Sequence, residues 1–362
     1  MTTAYRKSVI ERDQLSFIHN DSSFPSTRFQ GSKLKIVDWI WDAIKGLDFH
    51  TVLDAFGGTG SVGYMLKCKD KQVTYNDILK FNWLIGLALI ENGETTLSEE
   101  DVVWLIEKHR DIAYPNFIQE TFKDTYFTDE ENEWIDIVAT NISLLDNIYK
   151  QAIACFALCQ SCIIKRPFNL FHRKNLYIRF TDVKRNFGNK TTWDTPFEVH
   201  FKTFVDEANS AIFSNGFHNK ALNSDVMTIE NKFDMVYIDT PYISNKGIGV
   251  DYFDFYHFLE GLVNYPQWHN MIDYRSKHRR LKGCPSVWTD KVKIFSAFDQ
   301  LFEKFKQSVL VVSYRSDGIP SIEELTNLLK KHKPNVVEIK RKGYKYVLSN
   351  NNNSEEVLLI GK

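Results

Sequence analysis

Short apolar runs with an aspartate at or near their ends recur along this chain, separated by stretches with helical spacing. Three such runs cover residues 51–56, 72–77 and 233–238. Apolar runs of this length, bounded by turn signals, are typical of buried strands. Apolar residues at helical spacing over 34–44 and 79–90 predict helices in addition. Strands that alternate with helices in this way predict an α/β fold.

The middle of the chain has a different pattern, because residues 96–215 are helical or irregular with few strand signals. Residues 134–164 predict one long helix or two. Strand patterns then return, and the last of them are joined by an asparagine-rich turn that predicts an antiparallel hairpin. These late strand segments are 309–313, 336–342, 344–349 and 356–360. We therefore divide the chain into residues 1–95, 96–215 and 216–362, the first and last forming one α/β part around a mostly helical insert.

Composition is that of an ordinary globular protein, with 362 residues, 43% hydrophobic and 25% charged. No run of about 18 uncharged apolar residues is present, so we expect no membrane span. The start of the chain continues into charged residues and lacks the apolar core of a signal peptide. Five cysteines, an odd number without an export signal, favour reduced thiols and a cytoplasmic location.

Three cysteines, Cys155, Cys159 and Cys162, share one face of a predicted helix. A zinc site would need a fourth ligand, and no His or Cys pair nearby has the usual ligand spacing. We therefore expect buried free thiols and no metal.

Charge is distributed unevenly, although the net charge is only −1. Residues 94–136 carry 13 acids against 3 Lys or Arg, whereas 165–190 carry 8 Lys or Arg against one acid and 275–293 carry 7 against one. Solvated or packed loops would explain either basic stretch alone. Both stretches flank the apolar run 233–238 in sequence, which favours phosphate contacts. Within 165–174, aromatics interleaved with the basic residues also suit a surface that contacts both phosphates and bases. The residues predicted to contact DNA are Lys165, Arg166, Arg173, Lys174, Arg179, Arg279 and Arg280.

A glycine-rich bend, Gly57-Gly58-Thr59-Gly60, follows the first predicted strand. Glycines at such a bend let the backbone approach a ligand, and Asp77 lies 20 residues after Gly57, where a βαβ unit places a carboxylate near a ribose. Residues 58–63 also match the dinucleotide fingerprint G-x-G-x-x-G, so a dehydrogenase is an alternative. Asp54 and Phe56 argue against it, because they interrupt a strand end that is usually aliphatic at a dinucleotide site.

The tetrapeptide Asp239-Thr240-Pro241-Tyr242 directly follows the apolar run 233–238. A strand that ends in an acid and then presents an aromatic ring can hold a planar base. Alone, the four residues would equally suit an ordinary turn.

Several segments in this order resemble the DNA adenine methylase family, the alpha group of S-adenosylmethionine-dependent DNA adenine methyltransferases. The resemblance spans roughly residues 27–362 and is weakest in the insert. The segments that carry it are 29–33, 54–60, 223–225, 239–242, 255–260, 311–315, 344–348 and 356–360. It implies a Rossmann-like methyltransferase sheet finished by a C-terminal antiparallel hairpin, with the insert recognising the target.

The resemblance also implies roles for the tetrapeptide. Asp239 and the main-chain carbonyl of Thr240 would accept the two amine hydrogens of a flipped adenine, and Tyr242 would stack on the base. Thr240 departs from the family, which usually has proline there. An acid at position 239 favours adenine over cytosine.

For the methyl donor, S-adenosylmethionine, the resemblance implies a second set of residues. The donor-binding residues are Phe29, Lys33, Asp54, Phe56, Gly57, Gly58, Gly60, Asp77 and Asp225. Within this set Lys33 would lie near the methionine carboxylate, Asp54 would face the methionine amino group, Asp77 would hold the ribose and Asp225 the donor's adenine. We expect a monomer that acts on double-stranded DNA, either as a restriction-modification enzyme with a cognate restriction endonuclease as its partner or as an orphan modification enzyme without one. An RNA or protein amine methyltransferase, or a non-catalytic DNA-binding protein, are the alternatives.

Overall fold

The computed structural model describes residues 23–27, 29, 31–181, 190–245, 247, 249, 251–283, 285–334, 337–344 and 354–362. Expectations for the polar start of the chain up to residue 22, for Gln30, for Cys284 and for the strand over 344–349 beyond Tyr344 lie outside the described residues.

Seven strands within the described ranges form one sheet in the order β3-β2-β1-β4-β6-β9-β8, and β5 pairs with β7 separately. The strands are β1 Thr51–Asp54, β2 Gln72–Asn76, β3 Lys220–Leu222, β4 Met235–Ile238, β5 Ile243–Ser244, β6 Val309–Arg315, β7 Gly318–Ile319, β8 Val337–Gly343 and β9 Glu355–Gly361. Strands β3, β2, β1, β4 and β6 are parallel to one another, which confirms the predicted α/β sheet.

Helices connect and cover these strands. They are α1 Val37–Ile44, α2 Ser61–Cys68, α3 Lys80–Gly86, α4 Glu99–Ile106, α5 Phe117–Thr121, α6 Asp129–Ser143, α7 Ile148–Ile164, α8 Lys190–Asp194, α9 Phe197–Ala211, α10 Tyr252–Phe255, α11 His257–Leu262, α12 Trp268–Met271, α13 Lys293–Lys304 and α14 Ile322–His332. The helix predicted over 79–90 is α3 continued by a π-helical turn, Leu87–Glu91.

Alternate residues of the central strands contribute to two cores. On one face, Met235 and Tyr237 pack with the insert helices in a single hydrophobic cluster. On the other, Val236 and Ile238 pack with residues of α13 and α14. Since successive side chains of a strand point to opposite faces, the apolar run of β4 buries both faces of the sheet.

The C-terminal hairpin completes the sheet, because β9 is antiparallel to β6 and β8 is antiparallel to β9. Strand β9 is almost wholly buried, whereas β8 is mostly exposed at the sheet edge. The prediction of a terminal antiparallel pair is confirmed.

The described part of the insert consists of helices joined by loops and turns. Residues 134–164 belong to two helices, α6 and α7, because Asn147 accepts hydrogen bonds from the first amides of α7 and so starts a new helix. Cys155, Cys159 and Cys162 lie on α7 as free, mostly buried thiols, as expected.

The two ends of the insert lie side by side. The side chain of Asn209, on α9, accepts a hydrogen bond from Leu97 N at 3.1 Å and donates one to Leu97 O at 2.8 Å. This clasp joins the beginning of the insert to its last helix.

Candidate active site

The site lies where the strand order reverses. The chain runs from β1 outward through β2 to β3 and then returns to place β4 on the other side of β1. In such sheets, ligands bind outside the carboxyl ends of the strands at this reversal. A cavity of 440 Å³ opens there, a size suited to a small-molecule ligand. Asp54, Asp77, Asp225 and Asp239 all line it.

The glycine loop that follows β1 forms one wall. A Cβ atom at Gly57 would lie 2.0 Å from the Tyr75 ring, so only glycine fits against that side chain. Gly58 and Gly60 have φ of +52° and +77°, which also favour glycine. The Tyr75 hydroxyl donates to Gly58 O at 2.7 Å, and the Asp77 carboxylate accepts from Gly58 N at 2.9 Å. The second strand therefore holds the loop in place.

Asp54 is a buried carboxylate at the cavity, and no lysine or arginine among the described residues forms an ion pair with it. It accepts one hydrogen bond, from Gly63 N at 3.0 Å. Burial, together with the negative charges of Asp239 and Asp77, raises its pKa to about 8. An ammonium group placed beside Asp54 would stabilise its ionised carboxylate and lower this pKa. The residue therefore fits the amino end of a methionine moiety.

Asp77 and Asp225 complete the acidic lining. Asp77 accepts from Leu79 N, Gly58 N and the Asn82 amide, and burial raises its pKa to about 6. Asp225 is exposed, and one of its oxygens caps a short helical turn through Met227 N. Ile78, which follows Asp77 and is 66% exposed, adds an apolar wall to the cavity and was missed by sequence reasoning. Its position directly after the strand-end acid is the signal that could have found it.

Asp239 lies at the end of β4 within a network of charged and hydroxyl groups. Lys33 Nζ donates to its two oxygens at 2.9 and 2.8 Å, and the Tyr242 hydroxyl donates to Oδ1 at 2.6 Å. Burial raises the pKa of Asp239, and the nearby Lys33 opposes that rise. The pKa of Lys33 is raised because Asp239 and Glu356 outweigh the effect of burial on its ammonium.

This network shows where the Lys33 ammonium lies. It contacts Asp239 and Tyr242 and so supports the tetrapeptide, and its role at a donor carboxylate stays a prediction. The stacking role implied for Tyr242 also stays a prediction, although its ring is largely enclosed by protein. Its ring is 5% exposed, Tyr314 packs edge-on at 5.1 Å, and the Lys33 ammonium lies 4.9 Å from its centroid.

The middle of the tetrapeptide also lines the cavity. Thr240 is buried, and its hydroxyl has no hydrogen-bond partner among the described residues. Pro241 follows it at the cavity wall. Phe29 is stacked against Tyr252 and Tyr256, and Phe56 packs edge-on against Trp288 at 5.0 Å.

Two further residues were missed by sequence reasoning. Trp288 lies in the basic stretch 275–293, so part of that stretch forms the cavity wall. Glu260, also at the wall, accepts from Lys80 N and Phe81 N and thereby caps α3. The aromatic and apolar residues around Glu260 in 255–260 indicated burial, but not this cap.

The structure contradicts three of the predicted DNA contacts. Lys165, Arg166 and Arg179 are 2%, 1% and 4% exposed. Lys165 and Arg179 both pair with Glu131, at 2.8 and 2.6 Å, and Arg166 donates to the main-chain oxygens of its surroundings. These three side chains therefore stabilise the fold, because they are buried and hydrogen-bonded within the protein and cannot reach the phosphates of DNA.

The other predicted contacts are accessible. Arg173, Lys174 and Arg280 are exposed, and Arg279 is half-buried with its guanidinium on Tyr274 O. The aromatic residues Tyr177 and Phe180, 68% and 62% exposed, lie in the same stretch as Arg173. Whether these residues contact DNA stays a prediction.

The described residues contain no cluster of three or more His, Cys, Asp or Glu that could hold a metal ion. Over the same residues, the helices are too short or too polar to cross a membrane.

Comparison with known proteins gives a family match. The family model described as D12 class N6 adenine-specific DNA methyltransferase matches residues 29–263. The Type II methyltransferase M2.HphI of Haemophilus parahaemolyticus is 29% identical over 321 residues, covering 86% of this chain and 90% of that protein. The Type II methyltransferase M.FokI of Planomicrobium okeanokoites is 29% identical over 329 residues, covering 84% of this chain and 47% of that protein.

A third relative and a solved structure extend the comparison. The modification methylase StsI of Streptococcus sanguinis is 32% identical over 374 residues, covering 91% of this chain and 50% of that protein. The chain thus spans most of M2.HphI and about half of the other two. The solved rRNA methyltransferase aviRa from Streptomyces viridochromogenes covers 99% of this chain at 11% identity and a TM-score of 0.30, a likeness too weak to carry an argument.

Proposed function

We propose that this chain, which belongs to the family of D12 class N6 adenine-specific DNA methyltransferases, transfers a methyl group from S-adenosylmethionine to the exocyclic amine of an adenine in double-stranded DNA. The observation that carries the proposal is the position of Asp239. Its carboxylate lines the same 440 Å³ cavity as the glycine loop and Asp54, Asp77 and Asp225. One cavity therefore offers both a carboxylate for the amine and a set of acids for the donor.

The donor would be held by the residues at the ends of β1, β2 and β3. S-adenosylmethionine supplies a methyl group that its sulfonium has already activated. Asp54 would pair with its ammonium, Asp77 would accept from its ribose hydroxyls and Asp225 from its adenine amine. Gly57 and Gly58 allow close approach of the backbone, and Phe56 adds an apolar wall.

The target amine would be held by the tetrapeptide. The lone pair of an adenine amine is delocalised into the ring, so the group is a poor nucleophile. Asp239 would accept one amine hydrogen and the Thr240 carbonyl the other, which directs the lone pair outward. A carboxylate has about four acceptor positions, and Lys33 and Tyr242 fill three on Asp239, so one remains for the amine. Positioning would supply most of the catalysis.

Access to this pocket requires the adenine to leave the duplex, because an amine inside the base stack cannot reach Asp239. We assign target recognition to the insert, residues 96–215, between the two parts of the catalytic domain, 1–95 and 216–362. Phosphates would be contacted by Arg173, Lys174, Arg279 and Arg280.

Since the relatives are named Type II enzymes, we further propose a cognate restriction endonuclease as a partner. We also propose that the chain is a monomer and acts on DNA in the cytoplasm.

The test is methyl transfer from labelled S-adenosylmethionine to duplex DNA, RNA and protein offered separately. We expect label in DNA alone, as N6-methyladenine, and none with Asp239→Asn, which keeps the shape of the side chain. Label in RNA or protein alone would show that the fold serves another substrate. Sequencing of modified bases in DNA from cells that express the chain would then give the recognition site.

A further inference from the structure

The C-terminal hairpin places a second carboxylate behind Asp239. Glu356 lies on β9 opposite Arg315 of β6 and is 0% exposed. Its Oε1 atom accepts from Ser313 Oγ at 2.6 Å and from the Tyr242 hydroxyl at 3.0 Å. It lies 3.7 Å from Lys33 Nζ. Glu356 does not line the cavity, so it can reach a substrate only through the groups that it touches.

Two carboxylates share one ammonium and one phenol in this cluster. The Tyr242 hydroxyl accepts from Lys33 at 2.5 Å and has a single proton, which it can donate either to Asp239 at 2.6 Å or to Glu356 at 3.0 Å. Buried charges are tolerated only when they are paired and hydrogen-bonded. Any change in the charge of Glu356 must therefore alter how strongly Lys33 and Tyr242 hold Asp239.

We propose that Glu356 is a positioning residue for methyl transfer, which anchors Lys33 and Tyr242 and through them fixes the orientation and charge of Asp239. The expected effect of Glu356 on methyl transfer rests on the proposed function, whereas its expected effect on the orientation and charge of Asp239 does not. Ser313 orients the Glu356 carboxylate from β6, so the hairpin is part of the site and not only the edge of the sheet.

Glu356 is one of several titratable groups that interact with Asp239. The others are Lys33, Asp54, Tyr237, Tyr242, Tyr252 and Tyr344. Burial and the Glu356 charge both raise the pKa of Asp239. Removing that charge leaves the other groups in place, so the Asp239 carboxyl should ionise at lower pH.

The experiment compares Glu356→Gln with Glu355→Gln, a matched control on the same strand. Glu355 faces outward and pairs with Arg341 at 2.9 Å, with side chains 39% and 48% exposed. The first readout is the ¹³C titration of the Asp239 carboxyl, which needs no turnover. We expect its midpoint to fall by about one pH unit in Glu356→Gln and to stay unchanged in Glu355→Gln.

The second readout is the pH profile of single-turnover DNA methylation. We expect Glu356→Gln to slow transfer about tenfold with unchanged donor affinity, and to move the acid limb in the same direction as the titration. In a Tyr242→Phe background, where the connecting hydroxyl is lost, the shift caused by Glu356→Gln should shrink.

A wild-type titration midpoint in folded Glu356→Gln would overturn the inference. So would a slower reaction with an unmoved acid limb, since that outcome describes a residue that only supports the fold. If the wild-type chain methylates no DNA, the proposed function fails, and the titration still decides the role of Glu356.

Discussion

The acids at the cavity and the bases of the insert are equally conspicuous in the sequence, but the structure uses them in opposite ways. Asp54 and Asp239 follow parallel strands, whose carboxyl ends meet at one edge of the sheet, and both line the cavity. Lys165 lies at the end of α7 and Arg179 in a short helical turn, and both side chains point inward to Glu131. A residue's place at a strand end is therefore stronger evidence for a site than the local density of charge.

The largest expected effect concerns the cavity acids. Asp239→Ala should lower single-turnover methylation by at least about a hundredfold, because the amine loses a preorganised acceptor. Donor affinity, measured by calorimetry, should hardly change. Asp48→Ala is the control, since Asp48 is exposed near the start of β1, at the opposite edge of the sheet. Similar rates for the two variants would remove Asp239 from the site.

The next effect contrasts two arginines of the same basic stretch. Arg179→Ala should reduce the free energy of unfolding by about 2–3 kcal/mol, because it leaves the largely buried Glu131 with Lys165 as its remaining cationic partner. Arg173→Ala, at an exposed position, should change it by less than about 0.5 kcal/mol. Urea unfolding measures both. If Arg179→Ala kept full stability and weakened DNA binding, our correction for Arg179 would be wrong.

Asp54 should make stability depend on pH. Its pKa is about 8 in the folded chain against an ordinary value of 3.8. Between these values the unfolded carboxyl is ionised while the folded one keeps its proton, so wild type should lose stability as pH rises from about 4 to about 8. Asp54→Asn removes this contribution. The unfolding free energy of Asp54→Asn minus that of wild type should therefore increase from pH 5.5 to 8.5. A difference that stays constant over this range would contradict the raised pKa of Asp54.

The exposed bases should show a modest effect on DNA binding. Charge reversal at Arg173 and Lys174 should weaken binding and reduce the salt slope by about two units, roughly one for each lost phosphate contact. Lys45→Glu, on the segment that leads into β1, reports the effect of a charge change alone. Binding assays across a salt series measure the slope. An unaltered slope in the double variant would show that this stretch does not face DNA.

The smallest effect is expected at Thr240. Its hydroxyl makes no hydrogen bond to the described residues, and the proposed acceptor is its main-chain carbonyl. Thr240→Pro should therefore keep single-turnover activity within about a factor of three, provided that the chain accepts the fixed φ of proline. A folded variant that binds donor but is as slow as Asp239→Ala would show that the hydroxyl has a role of its own.

Local pattern was enough to predict the central strands, the glycine loop and the acids Asp54, Asp77 and Asp239, because a strand and the turn after it are set by neighbouring residues. Asp225 was implied by the family resemblance alone. It was not enough for Glu356, which reaches Tyr242 only because β9 pairs with β6. The direction of Lys33 and the burial of Arg166 depend in the same way on residues far along the chain. Pairing across such distances leaves no periodic signal.

The clasp between Asn209 and Leu97 has a consequence for how such a chain could diversify. Because the first and last parts of the insert meet within hydrogen-bond distance, a segment of different length can begin and end there without rethreading any strand of the sheet. The insert also shares its hydrophobic cluster with one face of the sheet, so an exchanged segment must supply a matching apolar surface. Exchange of this segment would then alter the target recognition that we propose for the insert and leave the cavity acids in place.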